Sequence, residues 1–202
     1  MELILVRHGE TLWNKEGRVQ GTSDIELSDT GRDQARRLAL VLKDRPLDAI
    51  YASPLKRALE TASLINEYHG LTIETDRGLM EMDQGDFEGQ TFKELMAKEK
   101  DFLKHWISDP ASVTMPRGES FLDVQARSWP VVERIAARGQ NALVVSHNFA
   151  IAAILCRIRN IGLSQFRSTC VDTASKTLIR VEDGLFSVES LNDRSHLEVS
   201  AP

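Results

Sequence analysis

The chain has 202 residues, enough for one domain with a full core. Its 25 basic and 30 acidic residues give a formal net charge of -5, which argues against a nucleic-acid or anionic-membrane partner, since both call for a basic surface. Hydrophobic residues make up 42% and charged residues 27%, a globular balance, and no apolar run reaches the ~18 residues of a membrane span.

The first element is Leu3-Ile4-Leu5-Val6, a continuous apolar run that predicts a strand buried on both faces. It stops at Arg7-His8-Gly9. Gly9 is expected to let the backbone approach a ligand closely. Residues 10 to 27 read as a loop. Ser28 is a candidate N-cap for a helix with apolar positions at Ala35, Leu38, Ala39 and Leu42. Asp48 to Ala52 predicts a second strand. Ser53-Pro54 then opens a helix, with Gly70 as its stop. Thr72 to Thr75 reads as a short strand. Residues 91 to 107 predict one amphipathic helix, and Pro110 to Gly118 a loop. A helical pattern resumes over 119 to 138, with Pro130 expected to kink or divide it. Ala142 to Val145 is a further strand, ending at Ser146-His147-Asn148, and a helix follows from Phe149 to Arg157. Two β-rich runs flank Asp183-Gly184, a hairpin signal. An outer strand of that tail offers an edge for a homodimer.

Strands alternating with helices predict an α/β fold with a mainly parallel sheet. Residues 1–202 read as a single domain, with a helical, cap-like insertion over about 82–118. Cys156 and Cys170 fit no zinc or dithiol spacing. The start, MELILVRHG, lacks signal-peptide character, so the expected location is cytoplasmic.

Three predicted strands end on polar residues: Arg7-His8, Ser53-Pro54 with Arg57 one turn later, and Ser146-His147-Asn148. In an open α/β sheet these ends meet on one side, where ligands bind. Two arginines and two histidines near helix N-termini suit an anion, and a guanidinium fork suits phosphate oxygens. No GxxxxGK[ST] occurs, so this is no nucleotide P-loop. The spacing offers no metal site, and several arginines repel a divalent cation. Without a metal, arginines and histidines must stabilise a transferring phosphoryl group, and a neutral imidazole can be the nucleophile.

LVRHGET at 5–11 resembles the signature of the histidine phosphatase superfamily, also called the phosphoglycerate mutase-like family. GRVQGTSDIELSDTGRDQA, YASPLKRALETA, LMEMDQGDFEG, PRGES and VVSHNFAI resemble further family blocks in the family's order, from about residue 1 to 160. The resemblance implies a three-layer α/β/α fold and a phosphohistidine enzyme without metal or cofactor. His8 would be the nucleophile. Arg7, Arg57 and His147 would bind the phosphoryl group. Glu81 would protonate the leaving alcohol, with Glu10, Glu88 and Glu119 as competitors for that role. Asn14, Gln20, Gly21 and Thr22 match the segment lining the pocket, and Asn148 opens the last helix beside it.

The superfamily holds phosphatases and mutases. The cofactor-dependent mutases carry a basic residue just after the acid, where this chain has Met82. They also carry a basic segment beyond it. Here Lys93, Lys98, Lys100 and Lys104 are interleaved with Glu94, Glu99 and Asp101. The chain therefore resembles the phosphatase branch, among small bacterial broad-specificity and α-ribazole phosphatases. A small phosphorylated metabolite is the expected substrate. The alternatives are a phosphoglycerate mutase and a non-catalytic protein that binds phosphorylated ligands. Trp106 is a candidate lining residue of the cap.

Overall fold

Leu3 to Val6 are buried because their strand lies inside the sheet, covered on both faces. The computed structural model describes residues 1–198. In chain order the elements are β1 (Glu2–Arg7), α1 (Leu12–Glu16), α2 (Asp29–Leu42), β2 (Ala49–Ala52), α3 (Lys56–Asn66) and β3 (Ile73–Thr75). Then come α4 (Phe92–Lys98), α5 (Lys100–Ser108), α6 (Phe121–Ala137), β4 (Ala142–Ser146) and α7 (Asn148–Ile158). The chain closes with β5 (Lys176–Glu182), β6 (Leu185–Asp193) and α8 (Ser195–Glu198).

The sheet order is β3-β2-β4-β1-β5-β6. The first four of these strands are mutually parallel, and β5 runs antiparallel to both β1 and β6. Successive side chains of a strand point to opposite faces, and the core divides accordingly. Leu3, Leu5 and Val144 pack with Val131, Val132 and Ile135 of α6 and with Ile151 and Ile154 of α7. Ile4, Val6, Leu143 and Val145 pack with Leu38 and Leu42 of α2 and with Ala58, Ala62 and Ile65 of α3. That is the expected three-layer α/β/α arrangement. Each fully buried aliphatic side chain contributes ~1.5–3 kcal/mol relative to exposure. The Asp183-Gly184 hairpin holds, with both residues at positive φ (50° and 77°), as a two-residue turn between twisted strands requires.

Three local expectations change. Residues 12–16 form a helix inside the expected loop, where Thr11 and Asn14 make a capping box and Gly17 ends the turn at φ 66°. The helix expected over 91–107 is two helices, broken at Glu99. The break lets Leu95 of α4 and Phe102, Leu103 and Trp106 of α5 line one cavity. Pro130 does not divide α6, which runs unbroken through it. Pro130 and Ala126, whose carbonyl loses its helical donor, both lie on the exposed side, where water can replace that donor.

The segment from 82 to 118 rests on one end of the molecule. Met82, Phe87, Leu95, Leu103 and Met115 join Phe121 and Val124 of α6 and Ala150 and Ala153 of α7 in a third core cluster. Four aromatic rings, Trp106, Phe121, Phe149 and Phe166, meet there at centroid distances of 4.8 to 6.3 Å.

Candidate active site

Sheet register brings the strand ends together. β1 and β4 are parallel with Arg7 opposite Ser146, so His8 and His147 follow side by side. The His8 backbone N–H still donates to the Ser146 carbonyl at 3.1 Å. On the other side of β4, Ala52 pairs with Val145 and the chain passes into α3. Arg57, the second residue of α3, is buried and reaches the same point.

The rings of His8 and His147 lie 5.0 Å apart at 58°. His8 Nδ1 sits 2.7 Å from the Gly9 carbonyl. That contact is a hydrogen bond only if Nδ1 carries the proton, which leaves the lone pair on Nε2. Arg57 donates its Nε–H to that Nε2 at 3.2 Å, which assigns the same tautomer. The Arg57 fork is held by the carbonyls of Ser23 and Gly21, each at 2.7 Å. Arg7 donates from Nη1 to the Val171 carbonyl at 2.6 Å. Its Nε and both ring nitrogens of His147 are buried with no protein partner, as polar atoms are where a ligand's oxygens complete a site.

Burial holds His8 well below the usual histidine range, and Arg57 and Arg7 push it the same way. Burial lowers His147 likewise, assisted by Arg57, His8 and Arg7. Both imidazoles are therefore neutral at pH 7. Burial also lowers Arg7, and lowers Arg57 to about 10, which leaves Arg57 charged at that pH; a guanidinium as a rule stays protonated in proteins. Glu81 is buried, and its carboxyl accepts from the backbone N–H of Met82 at 2.9 Å and of Phe149 at 3.1 Å. Desolvation raises its pKa, against the opposing pull of those donors and of Arg57 and Arg7. The pocket so formed thus holds neutral imidazoles, two guanidiniums and a carboxyl biased toward its acid form.

A cavity of about 300 Å³ opens over these groups. Arg7, His8, Arg57 and Glu81 line its floor, and Phe87, Phe92, Leu95, Phe102, Trp106 and Phe149 make an apolar wall. Asn14, Gln20, Gly21 and Asn148 also line it. Gln20 accepts from the Thr11 hydroxyl at 2.8 Å. Asn148 Oδ1 accepts from the Val171 N–H at 3.0 Å, and so steadies the carbonyl that holds Arg7. His147 is buried beside His8, with its ring behind that of His8 rather than among the residues that line the cavity.

Thr22 is not among the lining residues. Its N–H and hydroxyl both donate to Glu88, and it borders a neighbouring cleft instead. The three competing carboxylates are engaged elsewhere. Glu10 takes the Ser28 hydroxyl, Glu119 pairs with Arg127, and Glu88 accepts from Thr22, Ser23 and the Gln84 N–H. A Cβ on Gly9 would meet the Gly31 carbonyl oxygen at 2.4 Å, so this glycine lets the chain lie close against α2.

The sequence singles out neither of two further polar lining residues, nor the apolar wall beyond Trp106. Gln84 is buried, and its side-chain Nε2 has no protein partner. Arg18 stands on the cavity wall, tied to Glu16 and to the Gly89 carbonyl. Their only signal was adjacency, to Glu81 in LMEMDQG and to Gln20 in GRVQG. Among the described residues no group of three or more His, Cys, Asp or Glu is arranged to hold a metal ion. No single helix among them is long and apolar enough to cross a membrane.

The family model of the histidine phosphatase superfamily (branch 1) matches residues 3–194. Phosphoserine phosphatase 1 of Hydrogenobacter thermophilus is 37% identical over 199 residues, covering 98% of this chain and 94% of that protein. The solved structure of Bacillus stearothermophilus YhfR matches with a TM-score of 0.92 at 36% identity, over 97% of this chain and 98% of that one. A mycobacterial glucosyl-3-phosphoglycerate phosphatase matches with a TM-score of 0.87 at 30% identity, over 95% and 98%. A match across nearly the whole chain, in sequence and in fold, means that the chain belongs to the histidine phosphatase superfamily.

Proposed function

We propose that the chain is a metal-independent phosphomonoester hydrolase that works through a phosphohistidine at His8. Its substrate is a small phosphorylated metabolite. The observation that carries this reading is the tautomer of His8: Nδ1 donates to the Gly9 carbonyl, and Nε2 faces Arg57 with its lone pair free of a proton. Nε2 attacks phosphorus as the P–O bond to the alcohol breaks. The ring gains positive charge, which the Gly9 carbonyl stabilises through the Nδ1 proton. Arg7, Arg57 and His147 bind the equatorial oxygens, where charge must be stabilised. An alkoxide leaves poorly, so the Glu81 carboxyl gives it a proton. The resulting carboxylate then takes a proton from water as that water attacks phosphorus. The P–N bond breaks, and phosphate leaves.

Hydrolysis is favoured over mutase chemistry by Met82, which is fully buried in the apolar cluster where a mutase carries a basic residue. The lysines of α4 and α5 are exposed and do not line the cavity. Residues 82–118 act as a cap on a single domain, and their apolar wall favours an alcohol with apolar surface over a compact charged one. The activities in the relatives' names, on phosphoserine and on glucosyl-3-phosphoglycerate, mark the range to test. The free thiols of Cys156 and Cys170 fit a reducing cytoplasm.

The test is phosphate release in EDTA over aryl, alkyl, amino-acid and sugar phosphates, with rapid quench of the enzyme. EDTA-resistant turnover with an acid-labile, alkali-stable phosphoenzyme is expected. Turnover without a trapped phosphoenzyme, or its loss in EDTA, would overturn the reading.

A further inference from the structure

Glu81 sits on a segment without regular structure, between short 3-10 turns at Arg77–Leu79 and Gly85–Phe87. A carboxyl that must deliver a proton to one oxygen needs its backbone held to within about 0.5 Å. One side chain does most of that holding. Arg127 of α6 uses every N–H of its guanidinium. Nε and Nη2 donate to the two carboxylate oxygens of Glu119 at 2.7 and 2.8 Å. Nη1 donates to the carbonyls of Gly78 at 2.9 Å and Met80 at 2.8 Å. Nη2 gives its remaining hydrogen to the carbonyl of Glu81 itself at 2.9 Å. Arginine has five such donors, and all five are taken.

Glu119 completes the frame from its own side. Its Oε2 accepts from the Asp83 N–H at 3.0 Å, and its N–H donates to the Asp83 carbonyl at 2.9 Å. The Ser146 hydroxyl, at the end of β4, donates to the carbonyl of Leu79 at 2.7 Å. The carbonyls of residues 78, 79, 80, 81 and 83 are therefore all tied to α6, β4 or the strap at Glu119. Gly78 lets the segment lie flush on α6: a Cβ there would meet the Arg127 carbonyl oxygen at 2.6 Å and a Val131 methyl at 2.5 Å. A half-buried ion pair is a poor stabiliser in itself, because desolvation offsets its Coulomb gain. What a planar fork adds is direction, since it sets the orientation of each carbonyl it grips.

We propose that Arg127 and Glu119 are positioning residues, which fix the backbone of residues 78–83 so that the Glu81 carboxyl is aimed at the leaving oxygen. Neither touches the cavity over His8. The proposal rests on the reading of Glu81 as proton donor. Loss of aim penalises substrates in proportion to their need for that proton. An alkyl ester needs it, whereas p-nitrophenolate leaves without it.

The experiment compares Arg127→Lys, which keeps the charge but loses the fork, with Glu119→Gln, which keeps the shape, and with Glu81→Gln. kcat/KM is measured on an alkyl phosphate and on p-nitrophenyl phosphate, since it covers the steps up to alcohol release and not the later hydrolysis. Thermal unfolding reports whether each variant is folded. Arg127→Lys should lower the alkyl value by about 10²-fold, the cost of a misplaced group, and the aryl value by at least ~10-fold less. Glu119→Gln should show the same bias, more weakly. Equal losses on both esters, or none, in folded variants overturn the proposal and leave the pair a purely structural role. If Arg127→Lys does not fold, Glu119→Gln decides alone. If Glu81→Gln itself shows no bias, the proton-donor reading fails and the aiming role falls with it. If Glu81→Gln shows the bias and the other two do not, only the aiming role is wrong.

Discussion

As the proposed nucleophile, His8 would need no general base, because its proton already sits on Nδ1 against the Gly9 carbonyl and burial keeps the ring neutral. Replacing it with alanine removes the covalent route while leaving the strand that carries it intact. His8→Ala should lower hydrolysis of p-nitrophenyl phosphate by about 10³-fold or more, with an unchanged circular dichroism spectrum. Near-normal turnover would mean that phosphorus is attacked by water directly. Glu81, as the proposed proton donor, gives a different signature. Its raised pKa keeps it an acid to higher pH than a solvated glutamate. As pH rises through that value the carboxyl loses the proton an alkoxide requires. The ratio of alkyl to aryl kcat/KM should therefore fall with pH, measured above the second pKa of both esters (about 6) so that their own ionisation does not contribute. In Glu81→Gln the ratio should be low and flat; a slope that survives the substitution would assign the titration to another group.

At the scale of elements, the turn after β1 is set by two glycines facing each other. A Cβ on Gly31 would lie 2.0 Å from the Glu10 carbonyl oxygen, in the first turn of α2. Helix propensity alone favours alanine over glycine by ~1 kcal/mol. Overpacking against backbone costs about 1–3 kcal/mol and cannot be relieved by a rotamer change. Gly31→Ala should thus destabilise the protein in urea unfolding, and a gain in stability would show that α2 can shift. This contact also shows what the sequence could tell. Each strand end with its polar pair was legible, because an apolar run that stops at Arg7-His8 or Ser146-His147 needs only local reading. The partner of Gly9 was not legible, because Gly31 lies in another element. The same holds for Thr22, drawn out of the pocket by Glu88, and for the break at Glu99, which the shared cavity of α4 and α5 makes useful. The fork of Arg127 spans residues 78 to 119, and no spacing announces it.

Across the whole molecule, a net charge of -5 surrounds a site that holds the buried Arg57, the half-buried Arg7 and two buried, neutral imidazoles. That contrast makes folding stability depend on pH. His8 and His147 lie well below the usual histidine value, and burial of His196 lowers it to about 4. A histidine depressed in the folded state stays neutral there while the unfolded chain takes up a proton. Stability from these groups is full above ~6.5 and is lost as pH falls toward each folded value. By pH 5 the loss approaches about 2 kcal/mol for a site whose folded value lies below that pH. Glu81 acts in the opposite sense. Its raised pKa means that the native state takes a proton first on acidification, which restores part of the loss. Three sites against one leave a net fall. Urea unfolding at pH 7 and pH 5 should show it, and His8→Ala should reduce the slope by the share of one proton. Sulfate sharpens the test, because it is a dianion at both pH values whereas inorganic phosphate takes up a proton between them. A dianion held by Arg7 and Arg57 beside the two rings favours their charged forms, so saturating sulfate should raise stability more at pH 5 than at pH 7. Equal stabilisation at both pH values would place the bound anion away from His8 and His147.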